Sequence, residues 1–233
     1  MAKYAVSFAV CQRKIDVKNR RNVTKFLIRC KNFTTMRNLE QELKLRLTER
    51  EYNLVAAATE AQPILLVNHY FAAEDMSPDT MVRLRQTGDH YVMCYKRRIS
   101  HSDNVMVCDE REVEATPEFA QQVIKDGIGY RTLRQMFDVA DFDTKLDYVG
   151  ALQTYRTTFS LAGMTVELDK CEYLGATDYE LECESTHVDE LDVLKNYLNN
   201  TFGIVARASE PKNKRFFDRL KQLKQHTTDK QTD

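Results

Sequence analysis

The chain has 233 residues, with 34 Lys and Arg against 35 Asp and Glu, so its formal net charge is −1. A 42% hydrophobic content and only four prolines suit one soluble globular domain with a sizeable core. No apolar run approaches a membrane span, and no G-x-x-x-x-G-K-[ST] loop occurs, which excludes a P-loop as the means of phosphate binding. The six cysteines (Cys11, Cys30, Cys94, Cys108, Cys171 and Cys183) form no C-x-x-C pair and have no zinc spacing with histidine. They read as reduced core residues of a cytoplasmic protein.

Residues 1–35 are a basic N-terminal extension, with nine Lys and Arg against the single acid Asp16. Three readings stand open for it: a transit-like or nucleic-acid-binding arm, an ordered extra strand or helix, or a segment foreign to the domain. None gives it a catalytic role. The first strand of the domain is the run around Leu39–Leu47. Thr48 to Gln62 reads as a helix capped by Thr48 and ended by Pro63. Ile64–Phe71 is β-rich, and Met81–Gln86 with Tyr91–Arg98 forms a hairpin around Thr87-Gly88-Asp89. Val105–Glu114 is the next strand. Pro117 starts a helix that runs to about Asp126 and is closed by Gly127, and Tyr130–Phe137 is helical. Ala151–Leu161 and Met164–Asp169 form a second hairpin around Ala162-Gly163, and Thr177–Ser185 is the eighth strand. Val188–Phe202 is an amphipathic helix stopped by Gly203, and Lys214–Leu223 is a last, basic helix. Residues 36–225 make the main domain, and 226–233 are expected to be a disordered tail.

Charges recur on one face of these strands. Glu40, Glu42, Lys44 and Arg46 alternate with Leu39, Leu43, Leu45 and Leu47, and Glu180, Glu182 and Glu184 alternate with Tyr179, Leu181 and Cys183. Between them lie Arg83 and Arg85, Lys96 and Arg98, then Glu110, Glu112 and Glu114. Strand side chains alternate between faces with period two, so each segment has one charged and one apolar face. Any single such face is ordinarily a solvated one. Their recurrence on successive strands predicts a shared charged interior with leucine faces covered by helices. The expected fold is α+β, an eight-stranded antiparallel β-barrel forming a tunnel. A dry barrel could not hold these glutamates, because burying an unpaired ion costs several kcal/mol, whereas a hydrated tunnel with cations can. Carboxylates at i and i+2 on two strands form a hard-oxygen cage suited to Mg²⁺ or Mn²⁺, and rows of Lys and Arg suit a chain of phosphates.

In this order the motifs resemble the CYTH superfamily, the triphosphate tunnel metalloenzymes. Glu40-Gln-Glu42-Leu-Lys44 is similar to the opening E-x-E-x-K motif. The resemblance continues through Asn68-His-Tyr70-Phe71, Arg83-Leu-Arg85, Lys96, Gly150–Arg156, Leu168-Asp169, Asp178–Glu184 and Lys212–Phe216, covering about residues 37 to 224. Small stand-alone bacterial members are the most similar, and these begin near the position of Met36. One departure is Ala72 and Ala73 after Phe71, where the family reads Y-F-D; Glu74 and Asp75 follow.

The resemblance implies the same tunnel fold and a divalent-metal-dependent triphosphatase acting on inorganic tripolyphosphate. It implies catalytic roles for Glu40, Glu42, Lys44 and Glu182. Phosphate contacts fall to Lys44, Arg46, Arg83, Arg85, Lys96, Arg98, Arg156 and Lys214, and Lys212 and Glu112 are further candidates for membership of the site. Metal ligands would come from Glu40, Glu42, Asp169, Glu180, Glu182 and Glu184, holding Mg²⁺ or Mn²⁺. The other readings are an adenylyl cyclase of the same superfamily, a thiamine triphosphatase, or a non-catalytic polyphosphate- or nucleotide-binding module. The expected partner is a small-molecule triphosphate, with no nucleic acid and no membrane, for a monomer or homodimer.

Overall fold

The computed structural model describes residues 11–19, 22–30, 41–102 and 105–229. They form ten strands and five helices: β1 (Cys11–Asn19), β2 (Asn22–Cys30), β3 (Gln41–Leu47), α1 (Glu49–Ala56), β4 (Ile64–Ala72), β5 (Thr80–Thr87), β6 (His90–Ser102), β7 (Val105–Ala115), α2 (Pro117–Asp126), α3 (Tyr130–Phe137), β8 (Asp147–Leu161), β9 (Met164–Tyr173), β10 (Ala176–Ser185), α4 (Val188–Phe202) and α5 (Lys212–Asp229). The eight expected strands are β3 to β10, and the fold is α+β with antiparallel pairing throughout the registers given below. Among the described residues no helix is long and apolar enough to cross a membrane.

The chain divides into two compact units, one of residues 1–35 and 68–150, the other of residues 36–67 and 151–233. In the first unit β7, β6 and β5 lie side by side, with Cys94 of β6 opposite both Arg83 of β5 and Glu112 of β7. Val82, Leu84, Met93, Tyr95 and Val113 point to one face, where they pack against Phe119 and Val123 of α2 and Leu133, Met136 and Phe137 of α3. Thr116 caps α2, its hydroxyl accepting from the Phe119 N–H, and Pro117 takes the first helical position. β1 and β2 form an antiparallel pair and join this sheet through Cys30 opposite Val113. They stand where the sequence left an arm, an ordered strand or a foreign segment open.

Gly127 ends α2 with φ 72° and ψ −177°, a conformation that only glycine takes readily. A Cβ there would sit 2.5 Å from the Leu146 carbonyl oxygen, which accepts the Ile128 N–H in a short bridge between the two segments. Gly127→Ala is therefore expected to destabilise the fold by about 2–3 kcal/mol. A calorimetric Tm lowered by roughly 5–10 °C would bear this out, and an unchanged Tm would refute it.

The second unit has the strand order β8-β9-β10-β3. Leu43, Leu45 and Leu47 of β3, Val166 and Leu168 of β9 and Leu181 of β10 point to its apolar face. There they meet Val55 of α1 and Leu191, Leu194 and Leu198 of α4. α1 opens with a complete capping box, Thr48 accepting from the Glu51 N–H and Glu51 accepting from the Thr48 N–H. It stops at Ala56 instead of running to Gln62, since after the fully buried Val55 the run Ala56-Ala57-Ala58-Thr59 offers little to bury. The outer edge of β3 is covered by the segment before α5. Arg46 N–H donates to the Arg207 carbonyl at 2.8 Å and Ser209 N–H to the Lys44 carbonyl at 3.1 Å.

The last helix departs from expectation twice. It runs to Asp229, four residues into the expected tail, and residues 230–233 lie outside those described. It also does not cover a leucine face. Lys212, Arg215, Phe216 and Arg219 fall at i, i+3, i+4 and i+7, one helix face, and that face lies on the charged side of the second unit's sheet. Phe216 is fully buried beside Tyr173, and Arg219 donates to the Leu174 carbonyl.

Candidate active site

Two tight turns set the register on which the site depends. Ala162-Gly163 joins β8 to β9 and Leu174-Gly175 joins β9 to β10, all four residues with positive φ, as in the two-residue hairpin turns that match strand twist. One cross-strand row is then Arg156 (β8), Asp169 (β9), Glu180 (β10) and Arg46 (β3). The next is Thr158, Glu167, Glu182 and Lys44. The intervening residues Leu168, Leu181 and Leu45 point the other way into the core, so both rows share the polar face.

On this face the charges pair closely. Asp169 and Glu180 are fully buried and Glu182 is 8% exposed. Arg156 grips Asp169 with both ends of its guanidinium, at 2.9 and 2.6 Å, donates to Glu182 at 3.0 Å and is ion-paired with Glu167. Lys44 bridges Glu182 at 2.9 Å and Glu42 at 3.0 Å. From α5 the Lys212 ammonium lies 2.8 Å from both Asp169 and Glu182 and is also ion-paired with Glu180. Ser209 Oγ donates to Glu180 at 3.0 Å. One carboxylate oxygen each from Asp169, Glu180 and Glu182 lies within 4.8 Å of the other two.

A second cluster adjoins the first along β10. Asp178, 5% exposed, is paired with Arg46 and Arg215 and accepts the Tyr173 hydroxyl. Arg215 also reaches Glu180 and donates to the Glu210 carbonyl at 3.0 Å. α5 is thus tied to the sheet by Lys212 and Arg215, two cations one turn apart.

The ionisation states follow from burial set against these partners. For Glu182, burial pushes the carboxyl up, but the ammonium groups of Lys212 and Lys44 outweigh it and hold the pKa below the usual carboxylate range. For Lys212, burial disfavours the charge and Asp169, Glu180 and Glu182 outweigh it, raising the ammonium pKa well above its ordinary value. Lys44, Arg156 and Arg215 are raised for the same reason. Glu167 goes the other way: burial, with help from Asp169 and Glu182, prevails over Arg156 and raises its pKa. The Cys171 thiol on the same face, beside Thr154, is pushed up to about 12 by burial and stays a neutral thiol.

The residues expected from sequence fall into three groups. Lys44, Arg156, Asp169, Glu180 and Glu182 converge in the second unit. Glu42 reaches them through Lys44 but is itself exposed, and Arg46 is tied to Asp178 in the adjoining cluster. Glu184 lies exposed near the end of β10, opposite Glu42. Lys214 is exposed and pairs with Glu210 and Asp218 within its own segment, while Lys212 and Arg215 occupy the site-facing positions of α5. Glu40 lies outside the described residues.

In the first unit Arg83, Arg85, Lys96, Glu110, Glu112 and Glu114 share the sheet face opposite the apolar core. Cys94 donates to Glu112 at 3.4 Å on that face, and burial, against the opposing pull of Arg83, pushes its thiol up to about 11. Lys96 pairs with Glu110, and Arg98 lies 3.5 Å from Asp79. Asp75, beyond Ala72 and Ala73, accepts the Thr144 hydroxyl at 2.9 Å.

Arg215, Asp178 and Ser209 were not singled out as site residues from the sequence. The available signal was the i, i+3, i+4 placing of Lys212, Arg215 and Phe216, a helix face with cations where an apolar stripe would be ordinary.

The CYTH domain family model matches residues 38–217. The chain belongs to the CYTH family. No curated protein matches it. Among solved structures, a candidate adenylyl cyclase from Hippeastrum, described as having a dominant triphosphatase activity, superposes with a TM-score of 0.60 at 26% identity. The match covers 77% of this chain and 95% of that one. A candidate adenylate cyclase from Bacillus halodurans gives a TM-score of 0.58 at 21% identity, over 76% of this CYTH protein and 97% of its own chain. The second likeness shows the fold alone.

Proposed function

We propose that this CYTH protein is a divalent-metal-dependent triphosphatase with inorganic tripolyphosphate as substrate. The observation that carries the reading is the buried trio Asp169, Glu180 and Glu182 set among Lys44, Arg156 and Lys212 on one sheet face. Three hard carboxylate oxygens gathered within 4.8 Å fit Mg²⁺ or Mn²⁺ in donor type. A bound ion would supply charge neutralisation at the phosphate oxygens and a more acidic water.

The chain's own groups do the rest. Lys44 and Arg156 would exchange part of their pairing with Glu182 for phosphate oxygens, which accept charge-assisted bonds of the same kind. In the substrate-free protein each of these cations has a carboxylate partner, so the site is neutralised internally instead of holding bare charges. Glu42, exposed and paired with Lys44, would take a proton from the attacking water. The activity described for the Hippeastrum protein supports hydrolysis over cyclisation.

The test uses the full chain with tripolyphosphate and with ATP, following orthophosphate and pyrophosphate separately. Orthophosphate from tripolyphosphate, abolished by a chelator and restored by Mg²⁺ or Mn²⁺, is the expected result. Pyrophosphate from ATP as the main product would establish a cyclase instead, and full hydrolysis after exhaustive chelation would remove the metal from the reaction.

A further inference from the structure

Lys212 holds an unusual position for a lysine in a phosphate-handling protein. Its ammonium touches three carboxylates at once, and two of them, Asp169 and Glu180, are fully buried. Oε1 of Glu180 is ion-paired with the Lys212 ammonium. A divalent ion with oxygen ligands at about 2.1 Å requires its ligand atoms within roughly 4.2 Å of each other, which puts it at the centre of the same trio. The Lys212 ammonium already lies against all three carboxylates. An ammonium and a divalent ion there would also repel strongly in a low-dielectric setting.

We propose that Lys212 is a built-in counter-cation that occupies the divalent ion's place, so that metal entry requires the Lys212 side chain and the start of α5 to withdraw. The inference rests on the metal-dependent reading above. It adds that the apparent metal affinity is set by competition with a residue of the chain itself, and that metal occupancy reports on α5.

The anchoring of α5 fixes where the movement is confined. Ser209 donates to Oε2 of Glu180 and its backbone pairs with β3, beside the Oε1 that Lys212 would give up to the ion. Three and four residues beyond Lys212, Arg215 stays held by Asp178 and Phe216 stays buried beside Tyr173. The loosened stretch is therefore about Ser209–Asn213, and the helix beyond it keeps its seat.

Mn²⁺ binding to the full chain, followed by the electron paramagnetic resonance signal of free Mn²⁺, tests the competition without reference to turnover. Lys212→Met should bind Mn²⁺ at least tenfold more tightly than the unmodified chain, whereas Lys212→Arg, which keeps the charge, should not. Hydrogen exchange on the unmodified chain needs no variant to fold: Mn²⁺ should speed exchange at residues 209–213 and leave 216–225 unchanged. Equal or weaker Mn²⁺ binding by Lys212→Met, or Mn²⁺ uptake with unchanged exchange at 209–213, overturns the proposal. If tripolyphosphate hydrolysis remains metal-dependent in that case, only the competition falls and the triphosphatase reading stands.

Discussion

Glu182→Gln should lower kcat for tripolyphosphate by about 10²–10³-fold, the range found when one preorganised electrostatic group is removed from a site. Glu182 joins every part of the cluster: it contacts Lys44, Arg156 and Lys212 within 3.0 Å and belongs to the carboxylate trio. The amide keeps shape and acceptor oxygen while removing the negative charge that would hold an ion and position two cations. Stability should change far less than activity. Lys212 keeps Asp169 and Glu180, Arg156 keeps Asp169 and Glu167, and Lys44 keeps Glu42. Loss of a hydrogen-bonded charge with such backup costs about 1–3 kcal/mol. A variant that retains kcat within threefold of the parent would move the chemistry away from this face.

Much of this arrangement was written in period-two alternation. Leu43, Leu45 and Leu47 are buried on one side of β3 while Lys44 and Arg46 stand on the other, and Glu180 and Glu182 repeat the pattern on β10. Which residues meet was harder to read. The row Arg156–Asp169–Glu180–Arg46 follows from two turns, and only Ala162-Gly163 was recognised as one. β9 was expected to end at Asp169, yet it runs on to Tyr173, because Leu174-Gly175 and not an earlier break makes the corner. A charge pattern therefore located the polar face, but the register that pairs Asp169 with Glu180 depended on a turn with little sequence signature beyond one glycine.

Helix α5 shows a different limit. Its contacts to Asp169, Glu180 and Glu182 span some thirty residues or more of sequence, so no local period announces them. A basic helix at the end of a chain ordinarily reads as a solvated one, and Lys214, exposed and paired along its own helix, is such a residue. Lys212 and Arg215 differ from it only in facing the sheet, which follows from where the pairing of residues 207–209 with β3 delivers the helix start.

Arg215→Ala should produce the opposite signature to Glu182→Gln, a large loss of stability that precedes any chemical defect. Its side chain is 10% exposed and those of its partners Asp178 and Glu180 are buried, so its removal leaves two buried carboxylates short of a counter-charge. Breaking one side of a buried pair costs about 3–5 kcal/mol. The lower end applies here, because Asp178 keeps Arg46 and the Tyr173 hydroxyl and Glu180 keeps Lys212 and Ser209. At about 3 kcal/mol the Tm should fall by roughly 6–12 °C. Arg215→Lys, which keeps the charge but cannot reach both carboxylates with a planar fork, should fall by less. Below its melting point the alanine variant should also exchange amide hydrogens faster along α5, since that face would keep Lys212 and Phe216 but lose one of its two cationic ties. A Tm within 2 °C of the parent would mean that Arg46 and Lys212 suffice for these carboxylates, and that Arg215 is held by the site without holding it.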